Sequence, residues 1–361
     1  MFRFVVALLI AGFSFTNAQD IKPKNIILLI GDGMGINCVG ANLLQDKDSP
    51  FYQFSTIGLS ITCSADNLIT DSAAGATALA TGYLTKNKYI SVDTVGNRLY
   101  TLFELAEKLN LSTGIVVTAS VSHATPGAFL GHSISRYDQT LIASQMVDAE
   151  FDFIAGGGLK YFTPKKDSGE REDNRDLISE LENKNYSIVK NYSDLVSIPD
   201  SINHIYALFA DDGLPEASQR EYSLGDLTKE ALDHLKQNKN GFVIMIEGSQ
   251  IDWAAHDHKS QMLFDETKDF AKAVQIALDF AKQDKNTLVV VTSDHETGGM
   301  SITKGNQSAT ELELGFTTKN HTPSPIGIYS FGPGAELFNG IMHIDQIGQK
   351  LFYLLDSSIK F

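Results

Sequence analysis

Lys24-Asn25-Ile26-Ile27-Leu28-Leu29-Ile30-Gly31-Asp32-Gly33-Met34-Gly35 is an unbroken apolar run that stops in glycines around one carboxylate. A strand buried on both faces has no polar side to alternate with, and this run shows none. The same form recurs at 241–247, Gly-Phe-Val-Ile-Met-Ile-Glu, and at 287–295, Thr-Leu-Val-Val-Val-Thr-Ser-Asp-His. Shorter apolar strands are expected at 58–64, 114–119 and 326–331. Helical stretches separate them, at 71–81 closed by Gly82, 98–110, 224–237, 262–283 and 344–355. Apolar strands alternating with helices predict an α/β fold: a three-layer sandwich with a central, mostly parallel sheet flanked by helices. The charged stretch 165–200 is expected to be a surface excursion, not a separate domain.

The start of the chain is different. Arg3 precedes an apolar run at 4–13, and the small Ala18 stands before Gln19. This pattern reads as a signal peptide over 1–18, since ten apolar residues are too few to span a bilayer. Residues 19–361 are then one domain of a secreted or periplasmic protein. No later stretch is long and apolar enough to be a membrane span. The net charge of −15 opposes a nucleic-acid-binding role, which needs a basic face. Cys38 and Cys63 either pair or remain two buried thiols, and sequence leaves both open.

The polar residues are placed with order. Asp32, Glu247, Asp294 and His295 stand at strand ends, and Thr125 lies just past another. Open α/β sheets bind ligands beyond the carboxyl ends of their strands. One such acidic residue commonly caps a helix, but this many together favour a metal site. Asp252 and His256 are four apart, so a helix puts both on one face. Aspartate with histidine suits zinc, although an Asp–His hydrogen bond on a solvated face has the same spacing. His258 falls off that face and reads as surface. His321 lies in a loop ahead of a strand. Ser72, in Thr70-Asp71-Ser72-Ala73-Ala74-Gly75, opens an Ala-rich helix whose dipole favours negative charge. A serine there is usually an N-cap. As a nucleophile without a neighbouring histidine it needs another activator, such as a metal ion.

Six segments together resemble the alkaline phosphatase family. They are Asn25 through Gly35, Asp71-Ser72-Ala73-Ala74, His123-Ala-Thr125-Pro-Gly-Ala, Glu247 with Asp252 and His256, Asp294-His295-Glu-Thr-Gly-Gly, and Asn320-His321-Thr. The resemblance implies an enzyme that hydrolyses small phosphate monoesters through a phosphoserine on Ser72, using two zinc ions and one magnesium ion. It implies Asp252, His256 and His321 on one zinc, and Asp32, Asp294 and His295 on the other. Asp32, Thr125 and Glu247 would hold magnesium, and Arg136 would clamp phosphate. His123 stands where some members have Asp, and Trp253 where some have Lys. His123 then acts through water on the third metal or on phosphate, or binds that metal directly. Trp253 either packs over the phosphate or fills core. Three divalent ions and Arg136 outweigh four carboxylates, so an acidic protein still draws a phosphate dianion into this pocket. The chain is short for the family, so large crown-like insertions are expected to be small or absent. A homodimer is compatible with the resemblance. The competing expectations are a phosphodiesterase or sulfatase of the same superfamily, and a non-catalytic zinc- or phosphate-binding protein.

Overall fold

The computed structural model describes residues 22–199 and 201–361. The expected signal peptide lies outside the described residues. Ten strands form the main sheet: β1 (Asn25–Gly31), β2 (Thr56–Ile61), β3 (Ser112–Ser120), β4 (Phe153–Gly157), β5 (Ser187–Val189), β6 (Ile205–Leu208), β7 (Phe242–Gly248), β8 (Thr287–Thr292), β13 (Ile326–Phe331) and β14 (Gly340–His343). Four short strands complete two small ribbons: β9 (Glu296–Thr297) pairs with β12 (His321–Thr322), and β10 (Ser301–Gly305) with β11 (Leu312–Gly315). The helices are α1 (Ile36–Gln45), α2 (Ser72–Thr81), α3 (Leu102–Lys108), α4 (Ala124–Leu130), α5 (Gln139–Asp148), α6 (Leu177–Asn183), α7 (Tyr192–Val196), α8 (Leu224–Leu235), α9 (Gln250–His256), α10 (Ser260–Asp284) and α11 (Ile344–Leu355).

The sheet order is β14-β2-β13-β8-β1-β7-β3-β4-β6-β5, with only β13 antiparallel to its neighbours. The sequence reading of a mostly parallel three-layer sandwich is therefore right. Strand β1 shows how the layers arise. Ile26, Leu28 and Ile30 point into a core shared with α2, α3, α4, α5, α6 and α11. Ile27 and Leu29 point into the opposite core, with α1, α8, α9 and α10. All seven residues of β1 are buried, which is why its sequence shows no polar alternation.

One expectation needs revision, and one left open is decided. The 165–200 stretch is more than a surface excursion. It holds α6, whose Leu177 and Leu181 are buried, and β5, which pairs with β6 as the edge of the main sheet. Cys38 and Cys63 are free, Cys38 buried and Cys63 half-buried. Helices α2 and α11 meet without a side chain between them at Gly348. A Cβ there would lie 2.4 Å from the Ala78 carbonyl oxygen and 2.8 Å from that of Leu79. Gly348→Ala is therefore expected to lower stability by about 1–3 kcal/mol, read as a lower urea midpoint at unchanged slope.

Candidate active site

Strand β1 lies between β8 and β7, and β3 lies beyond β7, all parallel. Ile30 is level with both Glu247 and Thr292, so Asp32, Glu247 and Asp294 leave adjacent strand ends at nearly one height. The turn after β3 enters α4 at His123 and carries Thr125, whose side chain sits against Glu247. Helix α9 follows β7 and presents Asp252 and His256 one turn apart. The short β9–β12 pairing brings His321 level with Thr297, two residues past His295.

Two donor sets result. In the first, His256 Nε2 is 3.3 Å from Asp252 Oδ1 and 3.1 Å from His321 Nε2, and His321 Nε2 is 3.7 Å from the same Asp252 oxygen. Both Nδ1 atoms face backbone carbonyls, that of Lys319 for His256 and that of Thr70 for His321. Each Nδ1 must then carry hydrogen, which leaves two Nε2 lone pairs pointing at each other. Such a pair needs a proton or a cation between it. In the bare site the Asp252 hydrogen bond pushes His256 up to about 9, so it keeps that proton. A bound zinc ion would take the proton's place, with each ring oriented by its carbonyl partner.

In the second set, His295 Nε2 is 3.4 Å from Asp32 Oδ1, 3.4 Å from Asp294 Oδ2 and 3.2 Å from Ser72 Oγ. The His295 and His321 rings stack with centroids 3.6 Å apart and join the sets. Both oxygens of Asp32, both of Glu247, Asp294 Oδ2 and Thr125 Oγ1 are buried and accept no hydrogen bond among the described residues. Burying carboxylates without donors is costly. Burial, with mutual repulsion added, raises Asp32 well above the usual carboxylate range, Asp294 to about 7 and Glu247 to about 8. Oxygen donors so placed fit hard divalent cations, which would hold all of them ionised.

Ser72 is the first residue of α2 and is 2% exposed. It is not the N-cap. Asp71 is, accepting the Ala74 amide at 3.0 Å. The Ser72 hydroxyl is thereby released from the usual role of a serine at this place. Asp71 also accepts Arg136 Nη1 at 3.1 Å, and the Arg136 charge acts on Asp32, Glu247 and His123. Gly75 keeps α2 close to the Asp294 turn: a Cβ there would lie 2.8 Å from the Asp294 carbonyl oxygen. His123 meets Trp253 edge to face, 6.3 Å between ring centroids. Burial lowers the His123 imidazole to about 4, so it is neutral, and its Nδ1 has no hydrogen-bond partner among the described residues. The far edge of Trp253 rests on Gly213.

Sequence reasoning passed over two residues. Asp71 orients Arg136 across 65 positions. Thr297 Oγ1 donates to Asp252 Oδ1 at 2.5 Å and meets His295 Nδ1 at 3.2 Å, bridging the two donor sets. His258 is not a free surface residue, because it stacks on Phe316 at 4.6 Å and bonds the Thr318 carbonyl at 2.8 Å.

Residues 23–311 match the family model described as alkaline phosphatase. Alkaline phosphatase 4 of Bacillus subtilis is 32% identical, over 92% of this chain and 88% of its own. The alkaline phosphatase of the Antarctic bacterium TAB5 superimposes with a TM-score of 0.87 at 38% identity, over 93% of this chain and 99% of its own. A histidine-to-aspartate mutant of that TAB5 protein, with Mg bound in the M3 site, matches with the same TM-score at 36% identity and the same two coverages.

Proposed function

Because the chain belongs to the alkaline phosphatase family, we propose that it hydrolyses phosphate monoesters to an alcohol and inorganic phosphate through a phosphoserine on Ser72, with two zinc ions and one magnesium ion. The observation that carries this reading is the convergence of buried, donor-poor carboxylates and facing imidazole nitrogens on one hydroxyl. Asp252, His256 and His321 would hold one zinc, Asp32, Asp294 and His295 the other, and Asp32, Thr125 and Glu247 the magnesium. Bound there, the ions would act as Lewis acids that lower the pKa of the Ser72 hydroxyl and offset charge on the transferring phosphoryl group.

The chain's own groups supply the remaining chemistry. Ser72 Oγ gives up its proton to solvent and attacks phosphorus, the bond from phosphorus to the alcohol oxygen breaks on the opposite side, and the departing oxygen takes up a proton from water. Water then attacks the phosphoserine from the vacated side, which returns the Ser72 hydroxyl and releases phosphate. Arg136 donates two N–H groups to phosphate oxygens, with Asp71 limiting its rotation. The first amides of α2 favour the negative charge that both steps carry. Neutral His123 and Trp253 wall the phosphate without adding charge. Residues 19–361 act as the single catalytic domain. With residues 1–18 as leader, the enzyme works in the periplasm or outside the cell. No helix among the described residues is long and apolar enough to cross a membrane.

Turnover of a phosphate monoester, a phosphate diester and a sulfate ester by the metal-loaded protein tests the assignment. The monoester is expected to lead in kcat/KM by on the order of a hundredfold or more. A preference for the diester or the sulfate ester would replace it, and failure on all three would leave a binding protein.

A further inference from the structure

Arg136 must keep a fixed distance from the turn that carries His123 and Thr125, and neither Asp71 nor any metal donor ties those two segments together. Gln139 does. It is the first residue of α5, three positions after Arg136. The cap of this helix is Asp138, which makes no side-chain capping bond. The Gln139 side chain turns instead toward the end of β3. Its Oε1 accepts the hydroxyls of Ser120 and Ser122, the latter at 3.1 Å. Those serines are 2% and 1% exposed, and they flank the turn in which the His123 amide bonds the Ser120 carbonyl. The Gln139 amide nitrogen donates to Tyr161 OH at 3.0 Å, in the loop after β4. One half-buried amide therefore joins the start of α5, the end of β3 and the turn after β4 at the catalytic edge, and bonds no metal donor among the described residues.

We propose that Gln139 is a positioning residue that holds the Arg136 loop in register with the His123–Thr125 turn. The inference rests on the reading of Arg136 as the phosphate clamp. Without the amide, two buried hydroxyls lose their acceptor and the turn can relax. Arg136 grips phosphate in both ground and transition states, so its displacement weakens uniform binding, which raises KM more than it lowers kcat.

The test uses the full metal-loaded chain, p-nitrophenyl phosphate as substrate and inorganic phosphate as inhibitor. Gln139→Leu, similar in shape but unable to accept, is expected to raise KM and the phosphate inhibition constant together by about tenfold, with kcat within about threefold of the parent. Gln139→Glu keeps an acceptor for both serines and is expected to stay within about threefold on every constant. An unchanged KM in Gln139→Leu, whatever its melting temperature, overturns the proposal. So does a Gln139→Glu protein as impaired as Gln139→Leu. If Gln139→Leu does not fold, Tyr161→Phe removes only the acceptor of the amide nitrogen, and an unchanged KM there counts against the proposal. Arg136→Ala separates the two levels. If it leaves the phosphate constant unchanged, the clamp reading itself fails. If it raises that constant while Gln139→Leu does not, only the role of Gln139 fails.

Discussion

Ser72→Ala is expected to lower phosphate monoester turnover by on the order of 10⁴-fold or more while leaving metal content and melting temperature nearly unchanged. The separation of these effects follows from how α2 is held. Its N-cap is Asp71, and all ten helical residues are buried, so removing one hydroxyl leaves the helix anchored. Among the described residues, the one side-chain partner of Ser72 Oγ is His295 Nε2, at 3.2 Å. That nitrogen already lies 3.4 Å from both Asp32 and Asp294 and would remain a metal donor. The alanine protein should therefore bind inorganic phosphate yet form no covalent adduct. Acid quenching after brief exposure to labelled substrate checks this directly: label stays on the parent and not on the variant. Label retained by Ser72→Ala, or activity close to the parent, would move the nucleophile elsewhere. Asp71→Ala makes a contrast, because it removes the cap and the Arg136 partner together and should lower stability as well as phosphate affinity.

The elements legible in the sequence are those whose burial is complete and long. Strands β1, β3, β7 and β8 run through the middle of the sheet, and their apolar runs are consequences of having helices on both sides. Strand β4, Phe153-Ile-Ala-Gly-Gly, is just as buried, but its glycines imitate a turn. Strands β6 and β5 have four and three residues, too few for any period to show. Their membership depends on Asp152 and His204, whose backbones continue the pairing, and on side chains far away in sequence. Asp32, Glu247, Asp294 and His295 were legible because strand ends deliver them to one edge, Asp252 and His256 by their helical spacing, and His321 only through the family resemblance. Asp71, Thr297 and Gln139 were not, since each acts through a bond that exists only after distant segments meet. The position of His258 was misread for the same reason: its stacking partner Phe316 arrives 58 residues later, on the stretch between β11 and β12.

Stripping the metal ions is expected to abolish activity and to destabilise the fold in a manner that grows with pH. The metal-free site holds Asp32, Glu247 and Asp294 buried, most of their oxygens without a hydrogen-bond donor among the described residues. In the unfolded chain these groups titrate near 4. In the folded, metal-free chain burial first, and then their mutual repulsion, moves Asp294 to about 7 and Glu247 to about 8. The raised carboxyls make the folded state bind more protons between roughly pH 4 and pH 8, while His123 and His295, lowered by burial, oppose this below about pH 6.5, so the fall in stability is steepest as pH rises from about 6.5 to 8. His256, raised to about 9 by its bond to Asp252, works in the same direction. Bound divalent ions remove the penalty by neutralising the ionised oxygens, and their own affinity also increases with pH as donors lose protons. The melting temperature of chelator-treated protein should lie roughly 10 °C or more below the loaded form at pH 8.5, with a clearly smaller gap at pH 5.5. The combined Asp252→Ala and His256→Ala change should behave differently. It removes two of the three donors of one set, and one carboxylate charge, while leaving Asp32, Asp294 and His295 in place, so metal analysis should find less zinc than in the parent, not none. A metal-free protein whose melting temperature ignores pH, or a double variant with full zinc content, would mean that these carboxylates and imidazoles are not held apart by cations.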